Sequence, residues 1–244
     1  MNMKHENKSG FRMGRYYLLN TAIVGMILCI YLLTASADIH MVMGKTGVAP
    51  YYKGHEDVRA VALAVHVDHY AAETAREIMD ILIDQGATAT FFVYGEFAAE
   101  YPETVRSLEE NGFEVASLGS EAISTAVINR TSLRSKLLWA GQSIERVVQQ
   151  PVKLFSPADG RDSRELLDVA SSLGYKTVLW SVDAYAAGAS SATIKTRALN
   201  NITKGAIIRV RALPETAEAL GDIVGTAHEL DYEFKTVGTL LQSD

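Results

Sequence analysis

Three side chains after the first strongly apolar run of the sequence have the types that bind metals or move protons. His66 and Asp68 lie two residues apart, and His69 follows directly. Residues two apart on a β-strand point to the same side, so His66 and Asp68 should face one way. Two interpretations are open: a metal site built from these residues, or ordinary polar side chains that line the mouth of a pocket.

A basic pair stands near the other end of the chain. Arg209 and Arg211 flank Val210 at the end of an apolar run, and strand alternation points both arginines the same way. They would contact an anionic ligand, or form salt bridges with carboxylates such as Asp183 or Asp68.

Aromatic side chains cluster near the ends of the apolar runs and divide into two groups. Those within the runs are expected in the core, whereas those just beyond them are candidates for contact with a ligand. The first group is Phe91, Phe92 and Trp180, and the second is Tyr70, Tyr94 and Tyr185.

The elements that must position these residues alternate between strand and helix. Apolar, β-branched runs predict strands, and apolar residues at helical spacing predict helices. Gly86, Gly112 and Gly174 follow three of the helices, where a helix commonly ends in glycine. The predicted strands are 59–67, 88–93, 113–118, 152–155, 176–180, 206–210 and 233–236, and the predicted helices are 73–85, 102–110, 132–149, 163–173 and 215–230.

Strands separated by helices imply parallel pairing with right-handed crossovers. Seven such strands in one domain favour a small or distorted β/α barrel, with an open doubly wound sheet as the alternative. No glycine-rich phosphate loop follows the first strand, which argues against a nucleotide site. In either architecture the ligand site lies at the carboxyl ends of the strands.

The strand-end motifs, taken in order, resemble the polysaccharide deacetylase family (NodB homology, carbohydrate esterase family 4). The resemblance runs from about Val58 to Leu241. Within the family, the sequence is most similar to the membrane-anchored or secreted members of endospore-forming bacteria, and this resemblance implies a role in sporulation. It implies a distorted (β/α)7–8 barrel. The motifs are Val61-Ala62-Leu63, Ala89-Thr90-Phe91-Phe92-Val93 with Gly95, Leu154-Phe155-Ser156-Pro157-Ala158-Asp159-Gly160, Leu173-Gly174-Tyr175, Val178-Leu179-Trp180-Ser181-Val182-Asp183, Gly205-Ala206-Ile207-Ile208 and Thr216-Ala217-Glu218-Ala219-Leu220.

The resemblance also implies which positions should carry the chemistry. Active members hold a divalent metal, usually zinc, with one aspartate and two histidines, and use an aspartate as base and a histidine as acid. Of the paired aspartates only Asp68 remains, and the two histidine positions hold Leu118 and Ala122. The family arginine falls at Ser156, and Arg211 stands at the position of the acid.

Amide hydrolysis by this route needs a metal-bound water with a pKa of about 7 and an acid that protonates the departing amine. One carboxylate cannot hold zinc, and an arginine with a pKa above about 12 has no useful proton to give. We therefore expect no catalytic residues, no metal and no cofactor. Zinc would be expected only in the alternative of an active deacetylase. Candidate substrate-binding residues are Asp68, Tyr70, Tyr94, Pro157, Asp159, Asp183, Tyr185 and Arg211.

The N-terminus has the pattern of a targeting segment. Residues 1–15 are basic, residues 16–37 contain no charge, and Ala35-Ser36-Ala37 has the small-x-small form of a cleavage site. The uncharged run meets the ~20 residues that a membrane span needs, so it predicts one hydrophobic helix that serves as a signal anchor or a cleaved signal peptide. Residues 38–57 are predicted to be a linker or arm, and 58–244 the deacetylase-like domain.

Charge and cysteine content limit the classes of partner that this protein could bind. Residues 1–37 carry four basic residues and one acidic, so removing them changes the formal charge from −6 to −9. An acidic body argues against nucleic acid, and the single cysteine, Cys29, lies in the leader. We expect an extracytoplasmic domain, membrane-anchored or secreted after cleavage at Ala37. It would bind cell-wall polysaccharide or an envelope protein, with an active peptidoglycan or chitin-type deacetylase and a protein-binding scaffold as alternatives.

Overall fold

The computed structural model describes residues 24–26, 48–121, 123 and 129–242. Residues 1–47 and 48–244 form two compact units. Apart from residues 24–26, the predicted leader at residues 1–37 lies outside the described residues. Within the described ranges, no helix combines the length and apolar character that crossing a bilayer requires.

The second unit is built on one parallel sheet of eight strands. Seven strands follow the order β5-β4-β3-β2-β1-β7-β6, and β8 pairs with the start of β1. This arrangement is an open half-barrel, which confirms the predicted parallel α/β class. The strands are β1 (Ala60–Val67), β2 (Thr90–Tyr94), β3 (Glu114–Gly119), β4 (Leu154–Phe155), β5 (Lys176–Thr177), β6 (Val182–Asp183), β7 (Ile207–Arg211) and β8 (Glu233–Lys235).

Helices connect these strands, and several begin at a side-chain cap. Asn129, Ser163 and Ser190 each accept a hydrogen bond from a backbone N–H in the first turn of the helix that follows. The described helices are α1 (Ala72–Asp84), α2 (Gly95–Glu100), α3 (Pro102–Glu110), α4 (Arg130–Val148), α5 (Arg164–Ser172), α6 (Ser191–Asn200), α7 (Pro214–Glu229) and α8 (Val237–Leu240).

Strand β1 shows how sequence alternation separates the two faces of the sheet. Its odd-numbered residues from Val61 to Val67 pack in the core shared with the helices. Its even-numbered residues Ala60, Ala62 and Ala64 pack in a second cluster on the other face, where their small side chains suit the inside of a curved sheet. His66 continues this inner face at the carboxyl end of the strand.

Residues 51–54, which the sequence assigns to an arm, are hydrogen-bonded to the sheet. Tyr51 forms a parallel bridge with Val178, and Lys53 forms an antiparallel bridge with Ala206. Gly205 has a φ of +72°, and a Cβ there would lie 2.6 Å from the carbonyl oxygen of Gly54. The close contact between these two segments therefore requires glycine at position 205.

The predicted helix bounds agree with the structure to within two residues, and those of α3 agree at both ends. The prediction of one strand over 176–180 is wrong, because β5 ends at Thr177 and a separate strand, β6, follows at Val182–Asp183. Strand β6 has only two residues, too few to show alternation. Helices α2, α6 and α8 are absent from the predicted elements as well.

Candidate functional site

A central cavity of about 430 Å³ lies at the carboxyl ends of the strands. Strands β1, β2, β3 and β7 reach it with their last residues, and the loops after β4 and β6 complete its wall. Its position agrees with the rule that places ligand sites of parallel α/β folds at this edge. The lining residues are His66, Asp68, Tyr94, Leu118, Ala158, Asp159, Tyr185, Arg209 and Arg211.

Asp68 and Arg211 form an ion pair in the wall of this cavity. Nη2 of Arg211 donates a hydrogen bond to Oδ2 of Asp68, and each side chain is about one-third exposed. The guanidinium also lies 4.7 Å from the ring centroid of Tyr185. Burial lowers the pKa of Arg211, but the hydrogen bond and charge of Asp68 outweigh burial, so the net pKa is raised and the side chain stays cationic.

Asp183 and Arg209 form a second, more buried pair. Nε and Nη2 of Arg209 donate to the two carboxylate oxygens of Asp183 at 3.0 and 2.8 Å. The guanidinium stacks 3.8 Å from the ring centroid of Trp180, and only 8% of Arg209 is exposed. Bidentate geometry of this kind fixes the orientation of both groups. The predicted salt bridges of the two arginines are thus confirmed, Arg209 with Asp183 and Arg211 with Asp68.

His66 contributes a buried imidazole to the cavity wall. Only 3% of the residue is exposed, and its ring centroid lies 5.5 Å from those of both Phe92 and Trp180. Burial lowers the pKa of His66 well below 6.5, and the positive charges of Arg209 and Arg211 lower it further, so the imidazole is neutral at pH 7. Its Nε2 is buried and has no hydrogen-bond partner among the described residues.

Tyr94 and Leu118 lie at the ends of the neighbouring strands β2 and β3. Burial, followed by the charge of Asp68, raises the pKa of Tyr94 to about 12, so its hydroxyl remains a proton donor. Leu118 is buried against the inner cluster and presents an apolar side chain at a position where the family resemblance implies a histidine.

A smaller cavity, here called the side pocket, adjoins the central cavity. Its volume is about 170 Å³, and it shares Tyr94, Leu118, Ala158 and Asp159 with the central cavity. The remaining lining residues are Ser120, Glu121, Ile123, Phe155, Pro157 and Leu166.

The structure brings most of the predicted binding residues together. Asp68, Tyr94, Asp159, Tyr185 and Arg211 line the central cavity. Pro157 lines only the side pocket, and Asp183 reaches the site through Arg209.

Tyr70, another candidate binding residue, does not line the cavity. Tyr70 lies in the turn beyond β1, is 87% exposed and packs edge-on against His69 outside the cavity. Ser156 is almost fully buried, and its Oγ lacks a hydrogen-bond partner among the described residues. Ala122 lies outside the described residues.

Sequence reasoning misses part of the wall. It treats His66 as a metal ligand or a generic polar residue, and it does not single out Ser120, Glu121 or Ala158. Strand alternation is the signal that places His66 beside Asp68. The other three follow β3 and β4, and loop residues show no periodicity from which to infer their direction.

The residues at this site do not fit zinc. Asp68, the one candidate ligand that the family resemblance leaves, is ion-paired with the guanidinium of Arg211, and the Leu118 side chain has no donor atom. Among residues 48–121, 123 and 129–242, no group of three His, Cys, Asp or Glu side chains has an arrangement that could hold a metal ion. A zinc site needs three or four such ligands. What the cavity offers is hydrogen-bond donors, carboxylate acceptors and aromatic rings.

Sequence comparison identifies the class to which this fold and site belong. The family model for polysaccharide deacetylase matches residues 55–178, which is just over half of the chain. The chain therefore belongs to the polysaccharide deacetylase family, as the motifs predicted.

Two curated relatives illustrate the range within the family. The uncharacterized protein YlxY of Bacillus subtilis is 24% identical over 193 residues, covering 79% of this chain. A peptidoglycan-N-acetylglucosamine deacetylase of Bacillus cereus is 24% identical over 177 residues, covering 70% of this chain. The chain spans 60% and 64% of the lengths of these relatives.

Solved structures show the same fold. The wild-type form of a CE4 family pseudoenzyme from Bacillus anthracis matches with a TM-score of 0.76 at 24% identity, covering 80% of this chain and 69% of that one. A mutant of the same protein is described as a pseudoenzyme with restored enzymatic activity. At this level of identity the likeness concerns the fold.

Proposed function

We propose that this protein is a non-hydrolytic member of the polysaccharide deacetylase family that binds amino-sugar polysaccharide of the cell envelope through its central cavity. The observation that supports the proposal most strongly is the ion pair of Asp68 and Arg211. The one family carboxylate that remains is neutralised by a protein cation at the place where the family's chemistry would need a metal.

The residues that line the cavity also lack the other groups that hydrolysis requires, which are the metal ligands and the acid. Leu118 offers neither a metal ligand nor a proton, and the raised pKa of Arg211 makes it a poor acid at neutral pH. Hydrolysis by the family's route needs a metal ion that polarises the amide carbonyl and an acid with a pKa near neutral that protonates the departing amine, and the lining residues supply neither. The cavity is therefore suited to binding and not to turnover.

The same wall suits an uncharged sugar. The charges of Arg209 and Arg211 are balanced by Asp68 and Asp183, so the cavity has no excess charge of either sign from these two pairs. Arginine N–H groups and the Tyr94 hydroxyl can donate to sugar oxygens, carboxylates can accept from hydroxyls, and the Tyr185 ring offers an apolar face. The unpartnered Nε2 of His66 gives one further polar contact.

The proposal also includes where the protein is located in the cell. The basic residues 1–15 and uncharged residues 16–37 favour export, with residues 16–37 as a membrane anchor or a signal peptide cleaved after Ala37. The domain would then face the cell wall.

The test pairs binding with turnover. Full-length protein is mixed with purified peptidoglycan and with N-acetylglucosamine oligomers in the presence of zinc, and co-sedimentation and acetate release are measured. We expect sedimentation with peptidoglycan, reduced by Tyr185→Ala, and no acetate above the rate without protein.

Each other outcome points to a different function. Zinc-dependent acetate release abolished by Asp68→Ala would show an active deacetylase and overturn the proposal. Absence of any binding to peptidoglycan or oligomers would overturn it in favour of a protein-binding scaffold.

A further inference from the structure

Trp139 is a large aromatic side chain held at the surface of α4. The residue is 41% exposed, although tryptophan is usually well buried. Its ring packs against the first residue of α2, where a Cβ on Gly95 would lie 2.9 Å from Cζ3 of the ring. The ring is thus fixed on one side by close contact with α2 and open on another, an arrangement that costs little entropy when a ligand stacks on it.

A third concavity, here called the Trp139 pocket, lies beside this ring. Its volume is about 330 Å³, and it is lined by Glu96, Ser120, Ser135, Lys136 and Trp139. Ser120 also lines the side pocket, and the side pocket shares four residues with the central cavity. The Trp139 pocket is therefore next to the side pocket at Ser120, and the side pocket adjoins the central cavity.

The charge along this surface limits what it can accept. Oγ of Ser120 donates to Glu96 at 2.6 Å, and the backbone N–H of Glu121 donates to the same carboxylate at 3.3 Å. Glu96 and Glu121 supply two carboxylates to the two outer pockets, and Asp159 supplies a third, which is ion-paired with Arg161 at 3.2 Å. The described lining of these pockets includes one cation, Lys136. An acidic wall disfavours anionic polymers and suits an uncharged or amino-bearing sugar chain.

We infer that Trp139 is a distal stacking site for a linear amino-sugar polysaccharide whose other end occupies the central cavity. The inference rests on the proposed function and adds a subsite to it. A short oligomer would fill the central cavity alone, whereas a longer one would extend along the side pocket and stack on the Trp139 ring. Affinity should therefore rise with chain length, and that rise should depend on Trp139.

The test compares N-acetylglucosamine disaccharide and hexasaccharide binding to full-length protein by calorimetry. Trp139→Ala should weaken hexasaccharide binding about tenfold, the loss expected for one well-stacked aromatic ring, and leave disaccharide binding within about twofold of wild type. Leu138→Ala is the matched control, because Leu138 is the neighbouring residue of α4, is 42% exposed and does not line the pocket. It should behave as wild type with both oligomers.

Tryptophan fluorescence gives a second readout, because the chain has only two tryptophans. Hexasaccharide should quench Trp139 emission, and Trp139→Phe should remove that signal while keeping most of the affinity. Equal loss with both oligomers, or no loss with Trp139→Ala, would overturn the inference while leaving glycan binding intact. If wild type binds neither oligomer, the proposed function itself fails.

Discussion

Arg211 and Asp68 form an ion pair between the ends of two adjacent strands, in the wall of the central cavity. Arg211 is the last residue of β7, and Asp68 directly follows β1, to which β7 is hydrogen-bonded with Arg211 opposite His66. A guanidinium thus neutralises the carboxylate from a neighbouring strand. The arrangement satisfies Asp68 within the protein and removes the need for an external cation.

This ion pair should contribute measurably to stability. Both side chains are about one-third exposed, so we expect a coupling free energy of about 1 kcal/mol, at the upper end for surface pairs. Urea unfolding of Asp68→Ala, Arg211→Ala and the double variant measures it as a double-mutant cycle. The more exposed pair of Lys195 and Asp222, 2.7 Å apart, is the control and should give less than about half that coupling. Additive single-variant effects at Asp68 and Arg211 would contradict the expected coupling.

His66 should make stability depend on pH. Because burial and the two arginines hold its pKa well below 6.5 in the folded state, the unfolded chain takes up a proton below pH 6.5 that the folded chain does not. Stability is then full above that pH and falls as pH drops, by up to about 1.4 kcal/mol per pH unit from this group.

The measurement is urea unfolding between about pH 5 and 7 for wild type and His66→Gln. The variant keeps a polar side chain that does not titrate, so its stability should vary less steeply over this range. Parallel curves for the two proteins would show that His66 titrates alike in both states, against the expectation.

Gly95 should tolerate no side chain, because α2 and α4 meet there. A Cβ at this position would lie 2.6 Å from Cα of Ala140. Gly95→Ala should cost about 1–3 kcal/mol in unfolding free energy and shift the ring of Trp139. Gly221 is the matched control, because it lies inside α7 and a Cβ added there would meet no atom within 4 Å. Gly221→Ala should stabilise the protein by about 0.5–1 kcal/mol. Destabilisation of both to the same degree would show that helix packing at Gly95 is not the cause.

The sequence predicted those parts of the fold that depend on local pattern. A continuous apolar, β-branched run located β1, and Gly112 marked the end of α3. Strand β6 and helix α2 were not predicted, because β6 has two residues and α2 has six, and segments this short show no periodicity.

The site residues, too, were predicted only as far as local sequence pattern allows. Alternation placed Arg209 and Arg211 on one side, but it could not assign their partners. The register does so: Arg209 is opposite Asp183 of β6, while Arg211 lies nearer the strand end, where Asp68 follows β1. Strand register and loop direction are set by tertiary contacts. The sequence could therefore name Asp68 and Asp183 as partners, but it could not say which carboxylate pairs with which arginine or that Ala158 lines the wall.

Zinc binding should be recoverable by restoring the family's ligands. Leu118→His and Ala122→His supply the two histidines that the resemblance implies, and Asp68 supplies the carboxylate. With Arg211 retained, its cation opposes a divalent metal on the same carboxylate, so zinc affinity should be at least about tenfold lower than with Arg211→His added. Calorimetric zinc titration of the double and triple variants measures the difference. Equal affinities would show that Arg211 does not exclude the metal.

One NMR experiment tests the central claim most directly. The sample contains unmodified full-length protein, zinc and N-acetylglucosamine oligomers that carry 13C-labelled acetyl groups. Saturation transfer to the oligomer reports binding, and the free acetate methyl signal reports hydrolysis. Binding without growth of the acetate signal over the rate in buffer is the predicted result. A growing acetate signal that requires both zinc and Asp68 would contradict the proposal of a non-hydrolytic binding protein.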